Sequence, residues 1–90
     1  MPYAHEWNVV VDRSVDRKLG TFPRKDAERI LAVLAEFSVN PYAGDTQKMK
    51  GKRSVWRRRI GSYRILYEIF TTERVVFVSC IARRTSSTYS

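Results

Sequence analysis

Several arginines in the second half of the chain have the spacing of a phosphate-binding group. Arg57, Arg59 and Arg64 lie in the stretch VWRRRIGSYRILYEI. Residues two apart on a β-strand point to the same face, so Arg57 and Arg59 would share one face of a strand. Guanidinium groups gathered on ordered backbone bind anions through paired N–H donors. The pattern therefore predicts an anion site, with phosphate as the expected ligand.

The positive charge of the chain is concentrated in the same region. Residues 1–45 carry six Lys or Arg and seven Asp or Glu, whereas residues 46–90 carry eleven and two. The net charge of +8 therefore belongs to the second half. A localised basic face indicates a polyanionic partner, either nucleic acid or an acidic protein. From residue 46 to residue 67 there is no acid and there are eight basic residues: Lys48, Lys50, Lys52, Arg53, Arg57, Arg58, Arg59 and Arg64.

A β-hairpin is predicted to hold the arginines. Gly61 and Ser62 suit a two-residue turn with glycine at its first central position. In the first strand, Arg57 and Arg59 alternate with residues on the opposite face. In the second strand an apolar row alternates with Arg64. The hairpin would thus present arginines on one face and contribute to the core with the other. The alternating residues are Trp56, Arg58 and Ile60 before the turn, and Ile65, Tyr67 and Ile69 after it.

The remaining elements predict a small α+β domain spanning residues 1–90. A strand is expected over residues 4–11, and Asp12 or Ser14 can cap a short helix that ends at Leu19. A second helix begins near Pro23 and ends at Asn40-Pro41. Residues 39–50 read as a polar loop, and Val75–Ala82 as a strand covered on both faces. The order is β-α-α-β-β-β, a mostly antiparallel sheet with two helices packed on one face. The apolar positions of the second helix are Ala27, Ile30, Leu31, Leu34 and Phe37.

Residue counts exclude several kinds of chemistry. A single histidine, His5, rules out a two-histidine ribonuclease, and with one cysteine, Cys80, there is no credible zinc site. No metal or cofactor is therefore expected. Cys80 lies in an apolar strand and is interpreted as a small core residue. No apolar run is long enough to span a membrane, and no signal peptide is evident, so we expect a cytoplasmic protein.

The order of elements and two sequence motifs resemble those of the RelE/ParE superfamily of bacterial toxins, which belong to type II toxin–antitoxin pairs. The motifs are WRRRIGSYRILYEI and VVFVSCIARRTSSTY, of which GSYRILY and IARRTSSTY are the most specific. The similarity extends over nearly all ninety residues.

The resemblance implies a ribosome-dependent endoribonuclease that cuts messenger RNA in the decoding site. The 2′-hydroxyl attacks the adjacent phosphate and leaves a cyclic phosphate and a 5′-hydroxyl. Such a toxin would have the ribosome and messenger RNA as partners, together with a cognate antitoxin, and we expect the toxin alone to be monomeric. The resemblance assigns catalytic roles to Arg57, Arg59, Arg64, Arg84 and Tyr89. It leaves contacts with RNA to Lys48, Lys50, Lys52, Arg53 and Arg83, and counting does not decide whether Arg83 or Arg84 is the catalytic arginine.

The chain departs from the best-known RelE sequences in three positions. Arg57 and Arg59 stand where lysines are usual, and a guanidinium is a poor proton acceptor, which leaves the general base open. Arg58 occupies a position that is usually apolar, so it must extend to the surface or lie on a less buried face. Two alternatives stay open: a ParE-like toxin that poisons DNA gyrase without nuclease activity, and an inactive member that only binds, with which arginine at both lysine positions is compatible.

Overall fold

A five-stranded sheet and two helices form the described part of the chain, residues 6–51 and 55–83, in a computed structural model. The strands run in the order β1-β5-β4-β3-β2, with β1 parallel to β5 and every other pair antiparallel. This confirms the predicted α+β class and its mostly antiparallel sheet. No helix of these residues is long and apolar enough to cross a membrane. In chain order the elements are β1 (Asn8–Val11), α1 (Arg13–Leu19), α2 (Arg24–Phe37), β2 (Thr46–Lys48), β3 (Val55–Ile60), β4 (Tyr63–Phe70) and β5 (Val75–Arg83).

Strand β2 is an addition to the predicted order, because residues 39–50 do not form a loop throughout. Its three residues, TQK, pair antiparallel with β3 and extend the sheet by one edge strand. A polar segment this short has no hydrophobic alternation of its own. It becomes a strand because the edge of β3 offers backbone partners, which is a long-range effect.

The helices begin where the sequence signals place them. Asp12 caps α1, with its carboxylate accepting the Ser14 backbone N–H at 3.0 Å. The hydrogen bonds from Ser14 also hold the pKa of Asp12 below its ordinary value. Helix α2 follows Pro23 and buries Ile30, Val33, Leu34 and Phe37. Leu31, predicted to face the core, is 52% exposed, because Val33 and Leu34 occupy the side of the helix turned to the sheet.

Burial in β4 alternates strictly, so the sheet has one covered and one open face. Tyr63, Ile65, Tyr67 and Ile69 are buried, and the residues between them are only half buried. The covered face packs against the helices. The prediction that Val75–Ala82 is covered on both faces is therefore wrong.

A β-bulge explains why Cys80 is exposed and is not the core residue that we predicted. The register of β4 with β5 shifts between Tyr67, which pairs with Val78, and Leu66, which pairs with Cys80. Ser79 is the extra residue of the bulge, so side-chain alternation after it is reversed. Ile81 turns to the core and is 2% exposed, whereas Cys80 turns to the open face.

Tyr67 anchors β4 to the segment that follows α2. Its ring lies 4.4 Å from that of Phe37, and its hydroxyl donates to the carbonyl oxygen of Pro41 at 2.9 Å. The side chain is fully buried, so the Pro41 carbonyl has no easy substitute donor. Burial also raises the pKa of Tyr67, against weaker lowering by the hydrogen bond with Thr46 and the charge of Arg58.

We expect Tyr67→Phe to reduce the free energy of unfolding by about 1 to 2 kcal/mol, measured by urea denaturation at pH 7. The control is Tyr42→Phe, since Tyr42 is 43% exposed and its change should stay within about 0.5 kcal/mol. Because the pKa of Tyr67 is raised in the folded state, its neutral form is favoured there. Stability should then fall as pH rises above 10, and less so in Tyr67→Phe. Equal destabilisation by both variants would contradict this role.

Candidate functional site

Three arginines meet on the open face of the hairpin β3–β4, and we name Arg57, Arg59 and Arg64 the arginine cluster. Arg59 and Arg64 are direct partners across the two strands, one pair away from the turn. Arg57 partners Leu66 on the same face. The turn has the predicted geometry at its first central residue, because Gly61 has a φ of 56°, which favours glycine. The strand pairing thus puts all three arginines on one face, as predicted.

The arginine cluster has unsatisfied binding capacity. Like charges directly opposite each other on a sheet are destabilising, and Arg59 and Arg64 occupy such a pair. The Nε atoms of Arg57 and Arg64 are buried and have no hydrogen-bond partner among the described residues. An anion placed between the guanidinium groups of Arg59 and Arg64 would relieve the repulsion between them.

Two residues at the sheet edge, Asp45 and Gln47, contact the arginine cluster, and no sequence pattern predicted either contact. Arg57 Nη2 donates to Gln47 Oε1 at 2.6 Å. Arg59 Nε donates to Asp45 Oδ2 at 3.0 Å, and the Arg59 backbone N–H donates to the Asp45 carbonyl oxygen at 3.0 Å. Asp45 and Gln47 lie in the segment that was predicted to be a loop, so no strand register connected them with β3. The Arg59–Asp45 ion pair is about half exposed on both sides, so its contribution to stability is small.

An open cleft of about 180 Å³ lies between the turn and the β2 edge. Two cations and one carboxylate face it, which is a suitable set of groups for a phosphodiester: the cations bind the phosphate oxygens, and the carboxylate can accept a hydrogen bond or a proton. The lining residues are Asp45, Arg59, Gly61, Ser62, Tyr63 and Arg64.

Arg58 lies on the opposite, covered face and supports the segment that carries Asp45. Only 12% of its side chain is exposed, and Nη1 donates to the Ala43 carbonyl oxygen at 3.1 Å. Both terminal nitrogens lie 3.4 Å from Glu36 Oε1 on α2. A Cβ at Gly44, which has a φ of 81°, would come closer than 3.0 Å to the guanidinium. Arg58 is therefore mostly buried, and it ties the segment before β2 to the helix layer.

Of the other seven predicted site residues, the structure describes three: Lys48, Lys50 and Arg83. Arg83 pairs with Tyr63 on the covered face, and its guanidinium lies 5.6 Å from the Tyr63 ring centroid, so it is not part of the cluster. Lys48 and Lys50 are exposed near the β2 edge, consistent with contact to a large polyanion. Four residues lie outside the described part of the chain, and their roles stay predictions: Lys52, Arg53, Arg84 and Tyr89.

The aromatic residues near the site belong to the core, as expected from the sequence. Tyr63 is 3% exposed, and its hydroxyl donates to Asp26 Oδ2 at 2.6 Å. This hydrogen bond raises the pKa of Tyr63, with burial as a further cause, so the phenol stays neutral. Trp56 is half buried and packs against the core. Within residues 6–51 and 55–83, no group of three His, Cys, Asp or Glu could hold a metal ion.

We expect sulfate or phosphate ions to stabilise the protein through the arginine cluster. At a free concentration about ten times Kd, a bound anion adds roughly 1.4 kcal/mol, or about 6 to 11 °C in Tm for a domain of this size. The measurement is the Tm in sulfate against chloride at equal ionic strength. The excess should vanish in Arg64→Ala and persist in Arg24→Ala, which removes the same charge from an exposed position of α2. The same excess in all three proteins would mean that sulfate acts only as a stabilising salt.

Comparison with known proteins identifies the sequence family. The sequence model of the ParE toxin of the type II toxin–antitoxin system ParDE matches residues 3–87. A toxin homologue named RelE1, from Methanocaldococcus jannaschii, is 26% identical over 82 residues, which cover 88% of this chain and 91% of that protein.

Solved structures with the same fold are RelE toxins, free or bound to an antitoxin. RelE of the archaeal RelE–RelB complex from Pyrococcus horikoshii superposes with a TM-score of 0.81 at 21% identity, over 91% of this chain and 99% of that one. The isolated Escherichia coli RelE toxin gives 0.77 at 18% identity, over 91% and 88%. The RelB–RelE complex of Methanococcus jannaschii gives 0.72 at 20% identity, over 90% and 99%. Fold, motifs and family match agree, and the chain belongs to the ParE toxin family, within the RelE/ParE superfamily of type II toxin–antitoxin toxins.

Proposed function

We propose that this toxin is a ribosome-dependent endoribonuclease that cleaves messenger RNA in the decoding site and so inhibits translation in the cytoplasm. The observation that carries the proposal is the arginine cluster. Arg59 and Arg64 are paired directly across the hairpin beside an open cleft, at a cost in repulsion that an RNA phosphate would offset. A protein that only bound a partner by shape would have no reason to converge these charges.

The cluster suits the electrostatic needs of RNA cleavage. When the 2′-hydroxyl attacks phosphorus, the pentacoordinate transition state carries extra negative charge on its oxygens. Guanidinium groups that are fixed before substrate arrives stabilise that charge without reorganisation. We assign this role to Arg57, Arg59 and Arg64. Arg84 and Tyr89 remain the candidates for a further cation and for a group that stacks on a base or assists the leaving oxygen.

A second set of basic residues would hold the ribosome rather than the scissile phosphate. Lys48 and Lys50 are exposed at the β2 edge, and Lys52, Arg53 and Arg83 are further candidates from the sequence. Contacts of this kind are sequence-independent and weaken steeply with salt. Single substitutions among them should reduce affinity for ribosomes while leaving the chemistry of the bound complex intact.

A cognate antitoxin is the second proposed partner. Similar folds have been solved as RelE–RelB complexes from Pyrococcus horikoshii and Methanococcus jannaschii. An acidic segment that folds on binding would complement a chain of net charge +8 and could cover the arginine cluster. We propose that the toxin without this partner is a monomer.

Gyrase poisoning is the alternative function. It is favoured by the matching family model, which is that of ParE toxins. Such a toxin would arrest growth through DNA damage and would leave messenger RNA intact. The arginine cluster would then be a binding surface without chemistry.

Controlled expression with mapping of messenger RNA 5′ ends separates the two functions. We expect new 5′ ends within translated codons, dependent on ribosomes. They should fall by roughly 100-fold or more in Arg64→Ala, since it removes a transition-state cation. Arg24→Ala, which lies on α2 and carries the same charge change, should cleave like the parent protein. Growth arrest with intact messages and induction of DNA repair would instead support gyrase poisoning.

A further inference from the structure

We propose that the carboxylate of Asp45 accepts the proton of the attacking 2′-hydroxyl. This inference depends on the proposed ribonuclease function and supplies the group that the arginine cluster lacks. A guanidinium stays protonated in proteins and cannot act as a base at neutral pH. Arg57, Arg59 and Arg64 can therefore stabilise charge but cannot remove the proton.

Asp45 lies where a proton acceptor would have to be. It lines the same cleft as Arg59 and Arg64, and it is the one carboxylate among the lining residues that the structure describes. A phosphate held between the two arginines would bring its neighbouring ribose to the cleft wall. Proton transfer requires an acceptor within hydrogen-bond reach of the hydroxyl, and the carboxylate is anchored 3.0 Å from Arg59 Nε.

The carboxylate is held in place and still has a free oxygen. Oδ2 accepts from Arg59 Nε, and the residue's carbonyl oxygen accepts the Arg59 backbone N–H. Gly44 and Thr46 on either side are joined by a hydrogen bond of 2.8 Å, from the Thr46 N–H to the Gly44 carbonyl oxygen. Oδ1 has no hydrogen-bond donor in the described part of the chain, and 57% of the Asp45 side chain is exposed. One oxygen thus fixes the group and the other is available to a substrate hydroxyl.

Other carboxylates near the hairpin are poorly placed. Glu68 lies on the open face, but it is four residues from Arg64 along β4, about 13 Å at 3.3 Å per residue. Asp26 accepts the Tyr63 hydroxyl at 2.6 Å on the covered side of the sheet. Neither lines the cleft.

The proposed step transfers one proton to Asp45 and exchanges one P–O bond for another. The O–H bond of the 2′-hydroxyl breaks, its proton moves to Asp45, and the 2′ oxygen forms a bond to phosphorus. The bond between phosphorus and the 5′ oxygen breaks, and that oxygen takes a proton from water. The products are a 2′,3′-cyclic phosphate and a 5′-hydroxyl end, and Asp45 returns its proton to solvent. No oxidant, reductant or metal takes part.

The test is single-turnover cleavage of a messenger RNA on programmed ribosomes by the full-length toxin. We expect Asp45→Asn to lower the cleavage rate by about 100- to 10,000-fold, while ribosome affinity changes only a few-fold. Hydroxide must then remove the proton, so the variant's rate should rise about tenfold per pH unit, more steeply than the parent rate. Asp45→Glu, which keeps a carboxylate, should keep the parent pH profile. Glu68→Gln, which removes a carboxylate from the same face, should cleave normally.

Two results would overturn the assignment. Asp45→Asn could cleave as fast as Glu68→Gln, or it could be slower with the parent's pH profile, in which case Asp45 only positions Arg59. Failure of the ribonuclease function looks different, because the parent protein itself would then leave the message intact or cut an RNA with a 2′-deoxy nucleotide at the scissile position. The Tm of Asp45→Asn, measured alongside, excludes unfolding as the cause of a slow rate.

Discussion

The register of the hairpin β3–β4 is the constraint on which both the core and the site depend. Ile60 pairs with Tyr63 on the covered face, and Arg59 pairs with Arg64 on the open face. A slip of one residue in either strand would exchange these sets and bury guanidinium groups against the helices. The turn at Gly61 fixes the register locally, and the buried row of β4 fixes it through packing. Core burial therefore sets this register, and the pairing of Arg59 with Arg64 is its consequence in spite of the repulsion between them.

The β-bulge at Ser79 determines which side chains of β5 face the core. Before it, Val76 and Val78 face the core; after it, Ile81 does, and Arg83 joins that face beside Tyr63. One extra residue thus removes Arg83 from the arginine cluster and brings Cys80 to the open face. The face that Arg83 takes is thus decided by a backbone irregularity at Ser79, several residues earlier. Counting along a regular strand could not have resolved it.

Sequence patterns predicted the features that depend on neighbouring residues. They failed for the features that depend on contacts between distant segments. Neighbouring residues determine the turn at Gly61, the cap at Asp12 and the alternation in β4. The hairpin and its arginines were therefore predictable. Strand β2 has no pattern of its own and exists through pairing with β3. Asp45 was missed for the same reason, since its contacts with Arg59 depend on that pairing. Leu31 was misplaced because α2 contacts the sheet along a narrower stripe than its apolar residues suggest.

With arginine in place of lysine, phosphate binding and proton transfer would need different residues. In the proposed ribonuclease, three permanently charged groups would bind the phosphate but could not accept a proton, so a base would have to come from a different element. Asp45 also neutralises part of the repulsion between Arg59 and Arg64 before substrate arrives, so its position is favourable in the free protein. Arg58 holds the preceding Gly44 segment to Glu36 on α2, which links that position to the helix layer. Arg58 on the covered face thus helps to hold the segment that carries Asp45. In this way the covered face supports the chemistry proposed for the open face.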